Sequence, residues 1–153
     1  TSVQRMQEHV GRFGTYANLS EAAADMRRLS AGFGPVPDDL WLELCSHMVR
    51  QLPGGGLTLH YDPAIGEPVR ALGQEAAQAA EATMWGLYEQ IGADVLLIRG
   101  LDSDLLTDAT AQAMTVRGPR ARLLQWPGVG HAPTLTDPAH MAAVADFLLE
   151  MPA

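Results

Sequence analysis

The run Val95-Leu96-Leu97-Ile98, set between Asp94 and Arg99, constrains this chain more than any other feature in it. A continuous apolar run of this length reads as a strand buried on both faces of a parallel sheet. Ala121 to Trp126 is a second strand candidate. Between the two, Thr107 is placed to cap a helix running through Ala111 and Met114, which Gly118-Pro119 ends. After the second strand, Asp137 as N-cap and Pro138 at the first helical position open a last helix. Its Met141, Val144, Ala145 and Leu148 are expected to face inward. From Ala93 onward the order is strand, helix, strand, helix, which is the α/β repeat. Such strands demand neighbours on both sides, and the expected neighbours are not in this chain.

Upstream of Ala93 the chain reads as helices. Thr1 to about Arg12 is one candidate, ended by Gly11 and Gly14. Ser20 is expected to cap a helix from Glu21 to Leu29, with Leu19 stapling its start. Gly32, Gly34, Pro35 and Pro37 form a hard break. A helix from Pro37 to about Arg50 would carry Leu40, Trp41, Leu44, Cys45, Met48 and Val49 on one stripe. Pro53-Gly54-Gly55-Gly56 is a turn, Leu57–Tyr61 a short strand, and Asp62-Pro63 its end. Gln74 to Gln90 is a further amphipathic helix through Ala76, Ala80, Met84 and Leu87. The expected organisation is a mostly helical region over residues 1–90 and a βαβα region over 91–153.

Composition excludes several functions. With 153 residues, 47% apolar and 18% charged, the chain is ordinary globular sequence long enough for its own core. A net charge of −8, with no basic run longer than Arg27–Arg28, argues against a nucleic-acid partner. The single cysteine, Cys45, forms no internal disulfide, which is compatible with a cytoplasmic setting. No apolar stretch approaches a membrane span. The chain opens Thr-Ser-Val-Gln directly into helical periodicity, as a trimmed chain would.

The chemistry concentrates in two segments. Gly128-Val129-Gly130-His131-Ala132-Pro133 follows the second strand and precedes the last helix. A loop at the C-terminal end of a parallel strand is where α/β proteins hold their reactive groups. Glycines on both sides let the chain turn sharply and present the imidazole of His131. A lone histidine is more often a structural residue, but the Gly-His-x-Pro setting after a strand reverses that preference. The second segment, Arg99-Gly100-Leu101-Asp102-Ser103-Asp104, ends the first strand on the same side of the sheet. A carboxylate there would receive the Nδ1–H of His131 and hold its tautomer. Asp102 and Asp104 read equally well as turn and cap residues. His9, His47 and His140 lie in helical stretches and His60 in a short strand, with no metal-ligand spacing among them. Trp41, Met48, Met84 and Trp85 fit core packing better than an acyl pocket.

These segments together resemble the end of a bacterial α/β-hydrolase. The likeness runs through Val95–Gly100, Ser103-Asp104-Leu105-Leu106, Gly118-Pro119 and Gly128–Leu135, and more weakly through Phe33-Gly34, Tyr61-Asp62-Pro63, Trp85 and Tyr88. It implies an α/β fold of which this chain supplies the last two parallel strands with their helices, preceded by a helical cap. It implies a serine hydrolase in which His131 is the general base and no cofactor takes part. Two departures stand out. No Gly-x-Ser-x-Gly nucleophile elbow occurs in these residues, so the resemblance places the serine N-terminal to Thr1. The position three residues after the strand-ending Gly100, where the family commonly carries its acid, holds Ser103. The acid is then Asp104, displaced by one residue, with Asp102 less suited on register. Otherwise it is a carboxylate on a strand outside this chain, with Ser103 contributing a hydrogen bond only.

The leading expectation is the C-terminal portion of a serine hydrolase acting on a carboxylic ester or related small acyl compound. The alternative is a non-catalytic relative that binds or docks. The expected partners are the acyl substrate and either the missing half of the fold or a second copy of the chain. Thr1 as an N-terminal nucleophile would need a strand at residue 1, where a helical pattern stands.

Overall fold

The computed structural model describes residues 14–71 and 73–150. The expected helix from Thr1 to Arg12 lies outside them. The described residues form two compact units: Gly32–Pro35 belongs with the residues from Gln74 onward, and the remainder, through Gly73, forms the other.

The first unit is built on two helices and a hairpin. Helix α1 (Leu19–Leu29) is capped by Asn18, whose side chain accepts the Glu21 N–H at 3.0 Å. The Glu21 carboxylate reaches back to the Ala17 N–H at 2.7 Å. Ser20, the cap expected from sequence, instead lies inside the first turn. Asn18 wins because its extended backbone (φ −155°, ψ 173°) aims the amide at the orphan donor. Arg27 and Arg28 occupy the last turn, where cations favour the helix dipole.

Helix α2 (Asp38–Ser46) ends four residues before the expected Arg50. The residues beyond it leave the helix because Val49–Gln51 (β1) pairs antiparallel with Leu57–Leu59 (β2). Gly55 and Gly56, at φ +89° and +80°, make the hairpin turn between them. Val49 therefore packs from a strand, and Met48 is left 49% exposed.

Tyr16, Ala22, Ala23, Met26, Val36, Trp41 and Cys45 form the buried core of this unit. The indole N–H of Trp41 donates to the Ala23 carbonyl at 2.8 Å, so its burial leaves no polar atom unpaired. Tyr16 donates to Asp25 at 2.9 Å, and Arg28 donates to the same carboxylate at 2.6 Å. Those two hydrogen bonds, that from Arg28 first, hold the Asp25 carboxyl below its usual range. The stability this contributes is present above the unfolded carboxyl pKa and is lost as pH falls through the depressed folded value. A 3-10 turn (Pro63–Ile65), capped by Asp62, and helix α3 (Gly66–Ala71) follow.

The second unit holds helix α4 (Gln74–Tyr88) and the βαβα succession expected from sequence. Strand β3 (Leu96–Gly100) and strand β4 (Arg122–Trp126) pair in parallel, from Leu96↔Arg122 to Gly100↔Trp126. Helix α5 (Asp108–Val116) connects them. Thr107 caps it by accepting the Thr110 N–H at 3.1 Å. Helix α6 (Pro138–Glu150) opens as expected on Asp137, which accepts the Ala139 N–H at 2.8 Å. Tyr88 donates to the Met114 carbonyl at 2.7 Å, tying α4 to α5.

The apolar face of α6 departs from expectation. Met141 and Leu148 are 49% and 61% exposed, and Ala145 is exposed as well; of the four, only Val144 is half-buried. Two strands set about 5 Å apart offer a strip no wider than one helix, too narrow to cover that face. Among the described residues no helix is long and apolar enough to cross a membrane.

The cap assignment gives a direct test. Asn18→Ala is expected to cost about 1 kcal/mol of stability, while Ser20→Ala stays within about 0.5 kcal/mol of the parent, by urea denaturation. The reverse order would return the cap to Ser20.

Candidate active site

Because β3 and β4 are parallel and in step, their last residues, Gly100 and Trp126, lie side by side. The loops that leave them start from the same edge of the sheet. Three backbone hydrogen bonds organise this meeting. The Leu101 N–H donates to the Trp126 carbonyl at 2.9 Å, the Asp102 N–H to the Val129 carbonyl at 3.0 Å, and the Ser103 N–H to the Gly100 carbonyl at 3.0 Å. Gly100 has to be glycine here, since a Cβ would collide with the carbonyl oxygens of Val129 and Gly130.

The loop carrying His131 is fixed on its N-terminal side. Gly128 turns the chain in the left-handed region (φ +69°), and Val129 is buried behind it. The Gly130 N–H donates to the carbonyl of Gly32, and Gly34 lies against the Val129 side chain. The segment Gly32–Pro35 therefore braces the loop immediately before the histidine. His131 itself is exposed, and among the described residues no hydrogen bond ends on its imidazole. On its C-terminal side Leu135 takes a left-handed conformation (φ +55°) between the hydrogen-bonded hydroxyls of Thr134 and Thr136. A branched aliphatic residue is strained there, at a cost on the order of 1 kcal/mol.

The other candidate residues sit on the facing loop. Ser103 is half-buried, and its hydroxyl oxygen accepts the Leu106 N–H at 3.1 Å, closing the loop on itself. Asp102 and Asp104 flank it and are exposed. The structure thus brings the Asp102–Asp104 loop and the His131 loop to one edge of the sheet, joined through the backbones of Asp102 and Val129.

Two features of this edge escape a reading of residue types. His140 is half-buried and stacked on Trp126 (ring centroids 3.6 Å apart, planes 8° apart), tying the start of α6 to the end of β4. Arg99 is 7% exposed, although in the sequence it reads as the charge that bounds the apolar run Val95–Ile98. His9 lies outside the described residues, and His47 and His60 are exposed. Trp41 belongs to the core of the first unit, and Trp85 lies under the Arg117 guanidinium at 3.9 Å. Met48 and Met84 are exposed. Among the described residues no group of three or more His, Cys, Asp or Glu is placed to hold a metal ion. A cavity of about 250 Å³ opens at the opposite, N-terminal ends of the strands, lined by Val95, Arg120, Arg122 and Phe147 among others.

No protein-family model matches the chain. It is 36% identical over 150 residues to a 3-hydroxybutyrate-oligomer hydrolase of Cupriavidus necator, covering 96% of this chain and 51% of that protein. The chain thus spans about half the length of the curated relative it matches. Among solved structures, a protein of Rickettsia typhi described as a hydrolase superposes with a TM-score of 0.82 at 22% identity, over 99% of this chain and 49% of its own. An α/β hydrolase of Novosphingobium aromaticivorans superposes with a TM-score of 0.73 at 27% identity, over 98% of this chain and 52% of its own.

The close approach at Gly100 is open to test. Gly100→Ala is expected to cost at least about 2 kcal/mol, the range of a core overpacked with backbone. Gly92→Ala, with open space around it, should change stability by less than about 0.5 kcal/mol. Equal effects in thermal melts would show that the two loops are not pressed together.

Proposed function

We propose that this chain, whose fold is that of the C-terminal part of an α/β-hydrolase, works as the histidine-bearing portion of a serine hydrolase that cleaves a carboxylic ester. The observation that carries this reading is the position of His131. It stands on a glycine-bounded loop at the C-terminal end of β4, hydrogen-bonded through Val129 to the loop that follows β3. In the complete protein His131 takes the proton from a serine hydroxyl supplied by residues outside this chain. That hydroxyl attacks the ester carbonyl, and His131 passes the proton to the departing alcohol; a water molecule then releases the acid by the same path in reverse. Asp104 is the carboxylate assigned to orient the imidazole, and Ser103 holds the loop that presents it.

Residues 1–90 serve as the cap and return segment, and 91–153 as the core portion. The strands that complete the sheet come from the rest of the fold or, failing that, from a second copy of the chain. The relative from Cupriavidus necator supports a finer reading of the substrate. An oligomer of 3-hydroxybutyrate is joined by ester bonds, and a short hydroxy-acid oligoester is the first substrate to try. The free, buried thiol of Cys45 suits a cytoplasmic protein.

In the complete protein, His131→Ala is expected to lower kcat by ~10²–10⁴ or more on a p-nitrophenyl ester and on 3-hydroxybutyrate oligomers, with KM little changed. Retention of more than about a tenth of the turnover would remove His131 from this role. The 153-residue chain alone is expected to show no turnover above the uncatalysed rate. For the acid, Asp104→Asn should slow the complete enzyme far more than Ser103→Ala. If neither change slows it, the carboxylate lies on another strand.

A further inference from the structure

The geometry points to Arg99 as a positioning residue that fixes the loop between β3 and α5, and with it the carboxylate presented to His131. The inference rests on the hydrolase reading above and adds a residue to it.

Arg99 occupies the fourth position of β3, its side chain only 8% exposed. A guanidinium so placed needs hydrogen-bond partners, because burial without them is costly. It has them on the loop. Its Nε donates to the Leu106 carbonyl at 2.8 Å, and Nη1 stands 3.8 Å from the Asp108 carboxylate at the start of α5. The register partner of Arg99 on the neighbouring strand is Gln125, and Gln125 donates to the same Asp108 oxygen at 3.0 Å. Adjacent strands thus grip the first residue of the helix from paired positions.

Leu106 is held from both sides. Arg99 takes its carbonyl, and the Ser103 hydroxyl takes its N–H. The opposite end of the loop is held by Asp102 on Val129 and Ser103 on Gly100. Asp104 lies between the two anchors. An apolar side chain at position 99 would serve the strand better. Replacing a buried charge by a well-packed apolar residue is often neutral or stabilising for a fold. What the arginine adds is a fixed far end for the Ser103–Leu106 turn.

The test uses the complete enzyme carrying Arg99→Met and, separately, Arg99→Lys, whose ammonium can still reach a carbonyl. For Arg99→Met the expected result is a kcat lowered about ten- to hundredfold, the scale of a misplaced catalytic group, with KM within about twofold and the melting temperature not lowered. Amide exchange at Leu106 should quicken while the β3 and β4 amides keep their protection. Arg99→Lys should recover part of the lost turnover. Unchanged kcat, or a fall in kcat that follows a fall in melting temperature, would overturn the inference. Should Arg99→Met not fold, Arg99→Lys carries the same measurements. If His131→Ala is also without effect, the hydrolase reading is what fails. Exchange at Leu106 then decides the anchoring role of Arg99 separately, unchanged exchange overturning it and faster exchange upholding it.

Discussion

The parallel pairing of Leu96–Gly100 with Arg122–Trp126 is the constraint on which the second unit depends. Parallel strands joined by a helix deliver their C-terminal ends to one edge, so the two loops meet there, joined through the backbones of Asp102 and Val129. Register matters as much as direction. A slip of one residue would turn Arg99 and Gln125 to opposite faces and separate them from their shared carboxylate at Asp108. It would also move Gly100 away from the Val129 and Gly130 carbonyls, where only a residue without a side chain fits. Leu96 to Ile98 supply the apolar grip, and the terminal Arg99-Gly100 pair makes that grip specific.

The order of elements was legible because strands and helices differ in period. Val95–Ile98 has no alternation and Asp137-Pro138 is an unambiguous helix start, and both lie where expected. Errors gathered where a local signal competes with a tertiary one. The stripe from Leu40 to Val49 satisfies helical spacing throughout, but the glycine turn at 54–56 allows Val49 to pair with Leu59, and the strand takes it. Ser20 and Asn18 are equally good caps by residue type, and only backbone conformation separates them. The inward face assigned to α6 presupposes a wide sheet, and the two described strands do not provide one.

The candidate site was legible in a different way. His131 stands out through its glycines and its place after a strand, both local properties. The brace from Gly32 to Gly130 and the clamp from Arg99 to Leu106 are not local. The brace joins two backbone groups, which every residue carries, so no residue type marks it, and the clamp ends on a backbone carbonyl that is equally unmarked. Arg99 alone left a trace, as the charge that bounds the apolar run Val95–Ile98. The 36% identity to a 3-hydroxybutyrate-oligomer hydrolase extends over the same residues and over about half of that protein.

The bond between Gly130 and Gly32 has a bearing on the order in which the molecule is assembled. Residues this distant in sequence meet late, because a long loop must be closed before their contact returns any free energy. A ribosome adding residues from the N-terminus exposes Gly32–Pro35 long before Gly130 exists. The accepting carbonyl of Gly32 therefore exists before the histidine loop is synthesised. Local pieces such as α1 with its Asn18 cap form early and independently, whereas the loop leading to His131 is braced only once Gly130 has been added. A nascent chain stalled before residue 130 therefore lacks the hydrogen bond that braces this loop.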